Sequence, residues 1–162
     1  MQNRWLYHEE DSTLPSGCYL ASAFAPPMSE TAKTVLLVDD DRNTRDVWSQ
    51  FLTHAGLQVC QAEDGESAME IVRSQLPDLV LMDLSLPLID GWTLTTLLKG
   101  DPRTSEIPII VISAHVFAEH RERALAAGCD AFLAKPCPPD HLLREVRRFL
   151  HLPPPDETSD AA

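Results

Sequence analysis

Five short apolar runs recur along the chain, VLLV (35–38), LQVCQA (57–62), LVLM (79–82), IIVIS (109–113) and AFLA (131–134), and a helix-length amphipathic segment follows each one. Strands separated by helices pair in parallel through crossovers, because a two-residue hairpin leaves no room for the helix. Right-handed crossovers then lay helices on both faces of an open sheet, so the expected fold is α/β, a doubly wound five-stranded parallel sheet. The first, third and fourth runs are almost wholly apolar, as strands covered on both faces should be, and are expected at the sheet centre.

The helical stripes fall between these runs. Val47, Trp48, Phe51, Leu52 and Ala55 form the first, closed by Gly56, a residue suited to a left-handed cap. Ala68, Ile71, Val72 and Leu76 form the second before Pro77, and Trp92, Leu94, Leu97 and Leu98 the third after Gly91. The fourth, from Phe117 to Ala127, is the weakest, with Ala124 and Leu125 carrying its apolar face. Leu142, Leu143, Val146, Phe149 and Leu150 make the last, opened by Pro139 and Asp140 and stopped by Pro153 to Pro155. One domain over residues 34–152 follows. Residues 1–33, with Pro15, Gly17, Pro26 and Pro27 and no sustained period, are expected to be a disordered extension, and 153–162 a disordered tail. Met28 would be a natural opening for the folded part, and no output domain is expected after it.

Charge narrows the function. Twenty-five acids against 13 bases give a formal net charge of −12, which repels nucleic-acid backbones and anionic lipid alike. Direct nucleic-acid binding and membrane association are therefore not expected. The four cysteines form no CxxC pair, no cationic leader opens the chain and no apolar run reaches membrane-spanning length, so a cytoplasmic location is expected.

Open parallel sheets bind ligands outside the carboxyl ends of their strands. Asp39, Asp40 and Asp41 stand after the first run, Asp83 after the third, Ser113 closes the fourth and Lys135 follows the fifth. Carboxylates crowded to about 4 Å repel by roughly 4 kcal/mol per pair at an effective dielectric near 20, so the rim calls for a cation. Mg2+ suits oxygen ligands and often uses one or two carboxylates plus a phosphate oxygen. Phosphoryl transfer needs little beyond an in-line nucleophile and fixed positive charge, and a carboxylate needs no general base to attack phosphorus.

VLLVDDDRNTR, LVLMDLSLPLIDG, IIVISA and AFLAKP, in this order and spacing, resemble the receiver domain of two-component response regulators, from about Lys33 to Leu152. The resemblance implies a flavodoxin-like strand order, 2-1-3-4-5. It makes Asp83 the phosphoacceptor, Asp40 a direct Mg2+ ligand, Asp39 a ligand through metal-bound water, and Ser85 a ligand through its backbone carbonyl. It makes Ser113 the switch hydroxyl, Lys135 the partner of the phosphoryl group, Phe132 the aromatic switch and the bond before Pro136 cis. It also places Ser85 and His115 at positions where family members differ and which tune acyl phosphate lifetime. The implied partners are a histidine kinase or histidine phosphotransfer protein and a downstream protein that reads the face of the fourth helix, fifth strand and fifth helix, with a homodimer on phosphorylation as a further outcome. Such a domain catalyses only its own phosphorylation and dephosphorylation.

Plainer readings stand beside these. Asp41 is expected to cap the first helix or face water, Asp90 and Gly91 to make a turn, and Cys129 and Cys137 to be structural. The six histidines lack metal-ligand spacing, and none is expected to be catalytic. The enzymatic rival is a phosphatase of the haloacid dehalogenase type using Asp39 and Asp41, but that pattern expects Thr or Val where this chain has Asn43. The other rival is a scaffold that keeps the fold without phosphorylation.

Overall fold

The computed structural model describes residues 32–114 and 117–154. Almost all of the expected extension and tail, and His115, lie outside the described residues. The elements alternate without exception: β1 (Thr34–Val38), α1 (Arg42–His54), β2 (Gln58–Ala62), α2 (Gly65–Gln75), β3 (Leu79–Met82), α3 (Gly91–Gly100), β4 (Ile109–Ser113), α4 (Ala118–Ala126), β5 (Ala131–Ala134) and α5 (Pro139–Phe149). All pairings are parallel, in the order β2-β1-β3-β4-β5, as expected from the sequence. β1, β3 and β4 are central, and every residue of β3 and β4 is buried.

Two apolar layers hold the sheet, one on each face, because successive strand residues point to opposite sides. Leu36, Val38, Val80, Met82, Ile109 and Val111 pack with Ala68 and Val72 of α2, Leu94 and Leu98 of α3 and Ala124 of α4. Val35, Leu37, Leu79, Leu81, Ile110 and Ile112 pack with Leu52 of α1 and Leu142, Leu143 and Val146 of α5. Each Val, Leu, Ile or Met side chain among them contributes roughly 1.5 to 3 kcal/mol by leaving water.

The helical stripes are narrower than the sequence suggests. Val47, Leu76, Leu97 and Leu125 are all exposed. Leu76 leaves its stripe because it forms the C-cap of α2 with a left-handed backbone, φ 46°. On α1 the inward position one turn before Trp48 belongs to Arg45, which is buried where Val47 is 64% exposed. α4 buries Ala124 alone, and Phe117, expected inside the helix, stands as its exposed N-cap. The helix α4 leans instead on Trp92 of α3, whose ring stacks on His120 at 5.6 Å and carries the Arg123 guanidinium at 4.4 Å. Among the described residues, no helix is long and apolar enough to cross a membrane.

The amino ends of the strands are tied by two aspartates. Asp78 accepts from the Thr34 amide at 2.8 Å and from Lys33 Nζ at 2.9 Å, and Asp130 accepts from the Ile109 amide at 2.8 Å and lies 2.8 Å from Lys99 Nζ. Partial burial pushes the Asp78 carboxyl up, but the Thr34 amide and Lys33 outweigh it and hold it below its ordinary value of 3.8. Its stabilisation is therefore complete above that value and is lost as pH falls through the lower folded one. Asp78→Ala should cost about 1 kcal/mol at neutral pH by chemical denaturation, the partly exposed pair being discounted for solvent. The gap to wild type should narrow below pH 3.8.

Candidate functional site: an acidic rim at the carboxyl ends of the strands

Register brings the rim together. Val38 of β1 pairs with Met82 of β3, so the next residues, Asp39 and Asp83, leave the sheet side by side. The ladder runs one rung further, the Asp39 amide donating to Ala62 and the Asp83 amide to Val38. Ser113 pairs with Ala134, and the Lys135 amide donates to the Ser113 carbonyl at 2.8 Å, which delivers Lys135 to the same end.

Lys135 Nζ lies 2.9 Å from Asp39 Oδ2 and 2.6 Å from Asp83 Oδ2. The remaining oxygens are held alike: Asp39 Oδ1 accepts from the Asp41 amide at 2.9 Å and Asp83 Oδ1 from the Ser85 amide at 3.0 Å. Each carboxylate thus sits between one ammonium and a backbone N–H two residues on. Asp39 is 4% exposed and Asp83 8%, whereas Asp40 beside them is exposed. One oxygen each of Asp39, Asp40 and Asp83 lies within 4.8 Å of the others, a set of hard donors that fits a small divalent cation. Burial presses the Lys135 ammonium toward its neutral form, yet the hydrogen bonds and charges of Asp83 and Asp39 outweigh it and hold its pKa above the ordinary lysine value.

The loop after Asp83 is fixed from behind. A methyl group on Gly91 would sit 2.6 Å from the Asp83 carbonyl oxygen and 2.8 Å from Leu84 Cα, so only glycine lets α3 start there. Asp90 caps α3 by accepting from the Thr93 amide at 2.8 Å. Asp41 likewise caps α1, accepting from Asn43 and Thr44, and its bonds to Thr44 hold its carboxyl below the ordinary range. Neither joins the acidic cluster; Asp41 caps as expected, whereas Asp90 and Gly91, expected in a turn, are the cap and first residue of α3.

Ser113 is fully buried at the end of β4, and Phe132 is half-buried on β5 against the layer shared with α2, α3 and α4. Ser85 is exposed and turns its amide to Asp83. The Lys135–Pro136 bond is cis, as the resemblance implied. Burial pushes the Cys129 thiol up to about 11 and raises Cys137 also, which suits structural cysteines. Sequence reasoning missed Arg45, whose Nη1 donates to the carbonyls of Asp39 and Asp40. The signal was its spacing, three before Trp48 and seven before Leu52, on the inward face of α1.

Because Lys135 ion-pairs with both buried carboxylates, Lys135→Met should destabilise the cation-free protein by roughly 3 kcal/mol. A raised lysine pKa gives stability that is complete below 10.5 and is lost as pH climbs through the folded value. Chemical denaturation should therefore show the gap between variant and wild type shrinking in that alkaline range.

Comparison with known proteins identifies the family. The family model for the response regulator receiver domain matches residues 35–147. The polar-differentiation response regulator DivK of Brucella anthropi is 28% identical over 118 residues, 73% of this chain and 96% of that one. A putative response regulator from Chloroflexus aurantiacus J-10-fl superposes with TM-score 0.72 at 33% identity, over 75% of this chain and 99% of the other. The receiver domain of the sensor histidine kinase PA1611 from Pseudomonas aeruginosa PAO1, whose structure has a magnesium ion coordinated in the active-site cleft, gives TM-score 0.70 at 30% identity over 75% and 99%. With its strand order, its acidic rim and a family match across most of its length, the chain belongs to the response regulator receiver domain family.

Proposed function

We propose that Asp83 accepts a phosphoryl group from a phosphohistidine on a sensor kinase or phosphotransfer protein, with Mg2+ held by Asp39, Asp40, Asp83 and the Ser85 carbonyl. The observation that supports this best is the single ammonium of Lys135 shared by Asp39 and Asp83 beside a third carboxylate. In the step, an Asp83 carboxylate oxygen bonds to phosphorus as the phosphorus–nitrogen bond of the donor breaks. The leaving imidazole keeps the electron pair and takes a proton from solvent. Bound Mg2+ would supply charge to the phosphoryl oxygens. Lys135 then moves its hydrogen bond from the Asp83 carboxylate to a phosphoryl oxygen, and the Ser113 hydroxyl takes up another.

The signal is read on the surface of α4, β5 and α5. Phe132 on β5 turns inward as Ser113 is drawn toward the phosphoryl group, and α4, with one buried residue, shifts at small cost. A downstream protein, or a second copy of the chain, recognises the changed face in the cytoplasm. Catalysis is confined to the domain's own phosphorylation and hydrolysis. Incubation with acetyl phosphate or a phosphorylated histidine partner in Mg2+ should label the wild type, and Asp83→Asn should lose essentially all label. Label retained by that variant on another residue would overturn the assignment.

A further inference from the structure

Among the described residues, Arg45 is the one arginine that is buried, at 8% exposure on the inward face of α1. Its Nη1 donates to the Asp39 carbonyl at 2.5 Å and to the Asp40 carbonyl at 3.1 Å, and Nη2 lies 3.7 Å from Glu63 Oε2 in the loop between β2 and α2. Taking a guanidinium out of water is costly, and a well-packed apolar side chain there would serve stability at least as well. Glu63 is mostly exposed, so that ion pair offsets little of the cost.

We propose that Arg45 is a positioning residue for the cation site: one nitrogen pins both carbonyls of the Asp39–Asp40 segment and so fixes how the two carboxylates leave the backbone. This rests on the reading of Asp39, Asp40 and Asp83 as the Mg2+ site. Asp39 has further anchors in Lys135 and the Asp41 amide. Asp40 is exposed, and its placement depends on the backbone that Arg45 holds. The first turn of α1 is itself fixed, since the Arg45 amide donates to the Asp41 carbonyl at 3.0 Å. The guanidinium therefore reaches back over the loop from a rigid base.

The sign of the effect separates this role from simple electrostatics. A nearby cation acting only through its charge would repel Mg2+, and its removal would tighten binding. A side chain that orients ligands acts the other way, and loss of such support typically weakens a metal by roughly 10- to 100-fold.

The test is calorimetric titration of Mg2+ into the full chain, at a temperature where each variant is folded by circular dichroism. Arg45→Met should weaken Mg2+ by roughly 10-fold or more. Arg45→Lys should recover part of the loss, because an ammonium can also serve two carbonyls from one nitrogen but on a shorter stem. The rise in melting temperature on adding Mg2+ should fall in the same order. Affinity in Arg45→Met equal to or tighter than wild type would overturn the positioning role and leave the Mg2+ site standing. Wild type that takes up no Mg2+ would overturn both. If Arg45→Met does not fold, Arg45→Lys decides alone: weakened binding supports the role, and unchanged or tighter binding overturns it.

Discussion

One ammonium between two buried carboxylates is the interaction that the rest of the architecture serves. Two like charges about 4 Å apart repel by roughly 4 kcal/mol at an effective dielectric near 20, and burial leaves little water to screen them. Lys135 lies within 3 Å of both Asp39 and Asp83, and backbone amides of Asp41 and Ser85 occupy their other oxygens. Asp40 adds a third formal charge, so the cluster keeps a deficit of two, which a divalent cation would match under the proposed reading. A rim built this way is held ready for positive charge rather than satisfied without it.

Such a rim needs stability from elsewhere, and the far end of the sheet provides part of it. Asp78 and Asp130 accept from the first amides of β1 and β4, each with a lysine beside it, so the amino ends of these central strands are closed by ion-paired carboxylates. Between the two ends lie apolar layers on both faces. Charge is therefore divided by function: paired and partly wet at one edge, crowded and mostly dry at the other.

The fold was legible because strands buried on both faces leave an unambiguous trace, nearly continuous apolar runs broken by helix-length segments. The rim was legible for a related reason: parallel register brings strand ends to one level, so residues after β1, β3 and β5 must meet. Strand order came from family resemblance and not from pattern, since alternation alone permits several orders. Helix faces were read less well. Short stripes at a period of 3.6 do not settle which edge position turns inward, and Val47, Leu97 and Leu125 face water. Arg45 escaped because an arginine is ordinarily assigned to the polar face, and only its carbonyl partners reveal why burial is tolerated.

The weakness of α4 follows from the same economy. With Ala124 as its only buried residue, its position depends on a ring stack and a cation over Trp92, contacts that have no interlocking shape and can exchange at small cost. Trp92 follows Gly91, and Gly91 stands against the Asp83 carbonyl so closely that a methyl group would not fit. A displacement of the Asp83 backbone therefore meets the first turn of α3 directly, and that turn carries the ring on which α4 rests. The path is one of contact, and coupling along it requires that α4 have two positions of similar energy. A helix whose one buried side chain is small meets that requirement more easily than α5, which is anchored by Leu142, Leu143 and Val146.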